Sequence, residues 1–104
     1  MATTTKALAR TAAATSSTTL YTAPNTTTTA VVTNIVLANA ATSASSATVA
    51  IDGIVIVPTV SIPANSVVGF DMKQVIPANA TPKTISGFAS TTAVSIHISG
   101  VEIS

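Results

Sequence analysis

Residues that could perform acid–base or metal chemistry are few in this sequence and lie far apart. The 104 residues include one histidine, His97, and three carboxylates, Asp52, Asp71 and Glu102. Nucleophilic, general-base and metal sites need several such groups close together, and the three carboxylates fall one to a strand or turn. Cysteine is absent and the four glycines are not clustered into a phosphate-binding loop. We therefore predict no enzymatic activity, no metal and no cofactor.

The isolated polar residues have structural interpretations instead. Asp52 belongs to a turn, and Glu102 takes an exposed strand position near the end of the chain. His97 lies on the serine-bearing face of the last strand, where we expect a structural or interface role. Tyr21 is expected to pack at the edge of the core with its hydroxyl in water.

The elements that would position these residues are strands. Thr, Ser, Ala, Val and Ile account for 20, 12, 19, 12 and 10 residues, a mixture that favours pleated structure and is poor in helix formers. We predict an all-β fold: a single antiparallel β-sandwich or flattened barrel of about seven to eight short strands, spanning 18–104. An extended N-terminal arm, flexible or ordered by a partner, would comprise 1–17.

The hairpin around Asp52-Gly53 is the clearest local signal. This pair separates two β-branched runs and suits a type I′ turn. The register of such a turn would place Val49 and Ile51 on one face. Pro58 is expected to end the second strand.

The N-terminal arm carries two of the four basic residues, Lys6 and Arg10, four positions apart. Three interpretations remain open for it: a frayed terminus, a short helix over 6–14, or an arm that becomes ordered only on a neighbouring subunit.

Two strands have informative patterns. The run 28–39 places Val31, Ile35 and Leu37 on one face and Val32 and Val36 on the other, as in a central strand or one whose second face meets another subunit. In the closing strand, 93–103, the apolar parity changes at Gly100. This change predicts a β-bulge at that glycine.

Composition also constrains partners and location. A chain this small and poor in large apolar residues is close to marginal stability by itself, and without disulfides or a metal it needs partners, so we expect a homo-oligomer or attachment to a larger assembly. A net charge of +1 with three aromatics argues against nucleic-acid binding. No stretch predicts a membrane span or a signal peptide, so we expect no membrane association and no classical export.

Four short motifs resemble small β-sandwich virion proteins of tailed bacteriophages. They are Leu20-Tyr21-Thr22-Ala23-Pro24, the strand Thr29 to Asn39 ending in Leu-Ala-Asn, Ser61-Ile62-Pro63-Ala64-Asn65, and Ile98-Ser99-Gly100-Val101-Glu102-Ile103. The resemblance covers roughly 18–104 and implies a structural role without catalysis. Such proteins are capsid decoration proteins, minor tail or baseplate components, or parts of head fibres.

Capsid decoration is the role we favour, because the chain is a single short module with a polar tail that could lie across a shell subunit. The expected location is the virion, at the capsid surface. The expected partners are the major capsid protein, or tail proteins in the alternative role, and further copies of the chain in a trimer. Candidate partner-binding residues are Lys6, Leu8 and Arg10 of the arm, and Val32 and Val36 of the long strand.

A secreted carbohydrate-binding or ice-binding module is a further alternative. The threonine runs 3–5 and 26–29 could form hydroxyl arrays. They lie at the terminus and at a turn, however, rather than at a repeated strand position.

Overall fold

Nine antiparallel strands form the computed structural model, which describes residues 3–23, 26–81 and 83–103. They are β1 (Thr3–Ala12), β2 (Thr18–Thr22), β3 (Thr29–Asn39), β4 (Ser45–Ile51), β5 (Ile54–Ile62), β6 (Ser66–Phe70), β7 (Gln74–Ile76), β8 (Thr84–Ala89) and β9 (Val94–Ile103). The predicted all-β sandwich is confirmed, with nine strands. Within the described ranges there is no helix of the length and hydropathy that a membrane span requires.

The strands pair in a nested order around the β4–β5 hairpin. β1 pairs with β9, β2 with β8, and β3 with both β6 and β7. A five-stranded sheet results, in the order β1-β9-β3-β6 with β7 also on β3, and it faces a four-stranded sheet in the order β2-β8-β4-β5. This is the strand arrangement of a jelly roll.

The predicted hairpin is confirmed at its turn and corrected at its far end. Asp52 and Gly53 have φ angles of 55° and 76°, as a type I′ turn requires. Pro58 does not end β5, which continues to Ile62. A register shift in the β4–β5 pairing accommodates it: Thr59 takes a φ of 39° and donates its N–H to Thr48 Oγ1 at 3.2 Å.

The core lies between the two sheets and consists mainly of aliphatic side chains. Alternate residues point inward along β8, along β9 as far as Gly100, and along β3 on either side of 33–34, as the two-residue repeat of a strand demands. The largest fully buried side chains are Ile35, Leu37, Ile62, Ile76, Ile85, Ile96 and Ile98.

The expected N-terminal arm is strand β1, at one edge of the five-stranded sheet, so the helix over 6–14 is wrong. β1 pairs with β9 of the same molecule along Thr3–Ala12, and two of its side chains, Leu8 and Ala9, enter the core. The reason is that β9 offers a free edge and that threonine favours strands over helices. Residues 1 and 2 of the expected arm lie outside the described part of the chain.

The bulge expected at Gly100 of β9 is not there; the two strands that flank β9 each have a bulge instead. The β1–β9 register shifts at Leu8 and the β3–β9 register at Thr33, whereas the burial alternation of β9 runs unbroken from Val94 to Gly100. The bulged neighbours close over Gly100: a Cβ there would overlap the Val31 carbonyl oxygen and lie 2.8 Å from a Leu8 methyl group. Glycine is required by this close approach.

Candidate partner-binding surface

The outer face of the five-stranded sheet carries a group of valines that none of the described residues covers completely. We define the valine face as Val31, Val36, Val67 and Val75. Val75 lies opposite Val31 across β7 and β3, and Val67 lies opposite Ala38 across β6 and β3. Val67 and Val75 are each 61% exposed, and Val31 and Val36 are half-buried. The face therefore places four outward valines on three strands in one half of this sheet.

Two of the five predicted partner-binding residues are not on the surface. Leu8 and Val32 are 6% and 0% exposed and belong to the core, so both predictions are corrected. For Val32 the cause is the bulge at Thr33, because one extra residue changes the face to which the preceding side chains point. Val31 takes the outward position that had been assigned to Val32.

The other three predicted residues are on the surface. Val36 belongs to the valine face. Lys6 and Arg10 are exposed on β1 and flank a shallow depression on the other half of the same sheet. We call it the basic depression; it has a volume of about 430 Å³ and is lined by Thr5, Lys6, Ala7, Arg10, Thr33, Ser99, Gly100 and Val101.

His97 lies between the two halves of this outer face. In the strand register it is opposite Arg10 of β1 and Val36 of β3. Its Nε2 is 3.3 Å from Ser95 Oγ, so serine satisfies one ring nitrogen. This position agrees with a structural or interface role for the histidine.

The main departure from the sequence interpretation is a cluster of Tyr21, Glu102 and Lys6. The Tyr21 hydroxyl donates to Glu102 Oε2 at 2.5 Å, and Lys6 Nζ lies 3.4 Å from Glu102 Oε1. Tyr21 is on β2 of one sheet, and Glu102 is on β9 of the other. The predictions of an exposed Glu102 and of a Tyr21 hydroxyl in water are therefore both wrong.

In this cluster the Tyr21 hydroxyl acts as a hydrogen-bond donor and not as a base that abstracts protons. Burial raises the pKa of Tyr21 above its usual value of 10.0, and the hydrogen bond and charge of Glu102 raise it further. The phenol is therefore held protonated, as a hydrogen-bond donor that joins the two sheets.

The remaining charged chemistry is sparse. Lys83 Nζ lies 3.4 Å from Asp52 Oδ2, beside the β4–β5 turn, and both side chains are substantially exposed. Among residues 3–23, 26–81 and 83–103, no three of the histidine and the carboxylates come together as a metal site would require.

The outer face of the four-stranded sheet differs in composition from the valine face. Its depression, of about 210 Å³, is lined by Ser17, Thr48, Ala50, Gly53, Val55, Ser86, Gly87 and Phe88. Hydroxyl-bearing side chains thus share this face with Phe88, which is half-buried. The exposed aliphatic residues of this sheet, Ile54 and Val55, lie at the β4–β5 hairpin end.

Sequence reasoning missed three members of the valine face, namely Val31, Val67 and Val75. The strand alternation around Phe70 does contain a signal for Val67, because Val68 and Phe70 occupy the opposite face. Val31 had no such signal, because its orientation depends on the bulge at Thr33.

Comparison with known proteins gives no match to this chain among protein-family models, curated protein sequences or solved structures.

Proposed function

We propose that this protein is a structural component of a tailed-bacteriophage virion, and that it decorates the capsid by binding the outer shell and stabilising it. The short motifs that resemble such virion proteins support the proposal. So does the jelly-roll strand order, which is common in viral capsid and lectin domains. Because one fold serves many functions, the argument depends on the surface rather than on the fold.

The observation that carries the proposal is the valine face. Exposed apolar patches on soluble proteins mark interaction sites, and these valines lie on a chain with only seven charged residues. Covering Val67 and Val75, which are both more than half exposed, would contribute roughly 1 kcal/mol each. Such a surface suits a protein that works while docked on others.

We expect copies of the chain to associate through the valine face in a trimer around a shell axis. The four valine side chains themselves carry no charge, and aliphatic residues of this kind suit a permanent contact between identical subunits. The β1 half of the same sheet, which carries Lys6 and Arg10, then remains for the shell protein. Each copy bound to the assembled shell stabilises it by mass action.

The test is co-sedimentation of the purified protein with shells and with tails that are prepared separately. Saturable binding to shells in hundreds of copies, with a rise in the shell melting temperature, would support decoration. Binding to tails alone, in a small symmetric number, would assign the protein to the tail or baseplate. Binding to neither particle, together with retention on a glycan array, would replace the proposal with a carbohydrate-binding role.

The valine face is tested with matched variants. Val67→Asp places a charge on it, and Val55→Asp places the same charge at a residue of similar exposure, 52%, on the other sheet. Sedimentation velocity should show a monomer for Val67→Asp and an oligomer for Val55→Asp. Equal oligomerisation of the two variants would exclude the valine face as the contact between copies.

A further inference from the structure

We propose that the basic depression binds a carboxylate side chain of the partner protein, an aspartate or glutamate in an acidic surface segment. The inference rests on the proposed function, since it names the chemistry that the docking partner must supply. The basic depression and the valine face lie on different halves of the outer face of the five-stranded sheet.

The depression is a consequence of the backbone. Strands β1 and β3 bulge at Leu8 and Thr33, on either side of Ser99 and Gly100 in β9. The backbone of Gly100 lines the depression between these two bulges. Arg10 and Lys6 border the low region, and Thr5, Thr33 and Ser99 add hydroxyl groups.

Arg10 is the cation that lacks a counterion at this site. Lys6 is neutralised by Glu102 and Lys83 by Asp52, and no ion pair is formed by Arg10 within the described residues. Asp71, the third carboxylate of the chain, lies between β6 and β7 at the opposite edge of the sheet. The described residues therefore supply no carboxylate that pairs with Arg10.

The missing counterion of Arg10 becomes energetically important when a partner docks on this surface. A partner that covers the β1 half of the sheet removes water from the guanidinium group, and an unpaired charge that loses water is strongly unfavourable. The planar guanidinium group binds a carboxylate through two parallel hydrogen bonds. The Thr5 and Ser99 hydroxyls line the same depression and can donate to the carboxylate as well.

The same features disfavour a nucleic acid as the occupant. Strong binding to a phosphate backbone requires many cations along a track, whereas this site has two, of which Lys6 is already paired. The lining contains no aromatic side chain on which a base could stack.

The test is an NMR titration of the isolated protein with acetyl-Gly-Glu-Gly-Glu-Gly-amide, and with the same peptide carrying glutamine in place of glutamate. We expect saturable shifts of the Arg10 Nε–H and of the Ser99 and Gly100 amides with the glutamate peptide alone. Arg10→Gln should weaken this binding at least about tenfold, because it removes a charged, bidentate contact. Lys83→Gln, at a residue that precedes β8 of the other sheet, should leave it unchanged.

Two results would overturn the inference: equal shifts with both peptides, or equal affinity of the wild-type protein and Arg10→Gln for the glutamate peptide.

A second experiment, on shell binding, separates this inference from the proposed function. If the wild-type protein binds shells, Arg10→Glu should bind them at least about tenfold more weakly than Lys83→Glu, and equal binding would contradict the inference. If the wild-type protein binds neither shells nor tails, the proposed function fails, and the peptide titration still decides this inference.

Discussion

The two ends of the sandwich are both joined by polar side chains, but the physics of the two junctions differs. At one end, the Asn39 amide of β3 is 2% exposed and donates to the carbonyls of Ser43, Ile62 and Pro63 at 3.0, 3.1 and 3.2 Å. Its oxygen accepts the Ala41 N–H at 3.0 Å. At the other end, Tyr21, Glu102 and Lys6 form a charged and partly exposed cluster.

The Asn39 junction does not respond to salt or pH, whereas the Tyr21 junction does. The Asn39 junction is neutral and buried, so neither salt nor pH alters it, and water cannot replace it without opening the core. The Tyr21 junction contains ionisable groups, and the Lys6 side chain is 47% exposed. Its contribution to stability therefore depends on solution conditions.

The largest expected effect comes from Asn39→Ala. This change leaves several buried backbone groups without partners, so the free energy of unfolding should fall by about 2–4 kcal/mol. Denaturant unfolding measures it. Asn34→Ala, at a half-buried outward position of the same strand, is the control and should change stability by about 0.5 kcal/mol or less. A loss below about 1 kcal/mol for Asn39→Ala would show that water enters this end readily.

Tyr21→Phe should be the next largest in effect. It removes the hydrogen bond to the Glu102 carboxylate, and the free energy of unfolding should fall by about 1.5 kcal/mol. Glu102→Gln keeps an acceptor for the phenol while it removes the charge, so its cost should be smaller. If Glu102→Gln costs more than Tyr21→Phe, the ion pair with Lys6, and not the hydrogen bond, holds this end together.

Alkaline pH should weaken the Tyr21 end alone. The pKa of Tyr21 is raised in the folded protein, so its stabilising contribution is complete below the pKa of the unfolded state, about 10, and is lost as the pH rises further. Unfolding measured between pH 8 and 11 should show a steeper decline for the wild-type protein than for Tyr21→Phe. Parallel curves for the two proteins would show that the phenol ionises equally in both states.

Lys6→Met should have the smallest effect. The pair with Glu102 is partly exposed, so its loss should cost at most about 1 kcal/mol and less in 1 M salt. Lys83→Met removes the other exposed pair and is the matched control. A cost for Lys6→Met well above that of Lys83→Met, and independent of salt, would mean that the lysine contributes through packing rather than through charge.

Features that depend on adjacent residues were predictable from the sequence. The Asp52-Gly53 turn and the inward orientation of Val49 follow from the backbone preferences of two residues and from strand alternation. The strand class of the chain follows in the same way from its content of threonine, valine and isoleucine. Of the five candidate partner-binding residues, Lys6, Arg10 and Val36 are on the surface, because exposed charge and simple alternation were sufficient to place them.

Features that depend on two or three strands at once were decided by the tertiary structure. Leu8 and Val32 are buried because bulges in β1 and β3 reverse the local alternation, and both bulges lie beside the close approach of these strands to Gly100. Tyr21 and Glu102 are 81 residues apart, and only the nested pairing of β2 with β8 and of β1 with β9 brings them together. The sequence by itself determined the all-β class and the central turn. The strand formed by the N-terminal segment, the faces of the strands and the polar junctions between the sheets required the register, which is a property of the assembled sandwich.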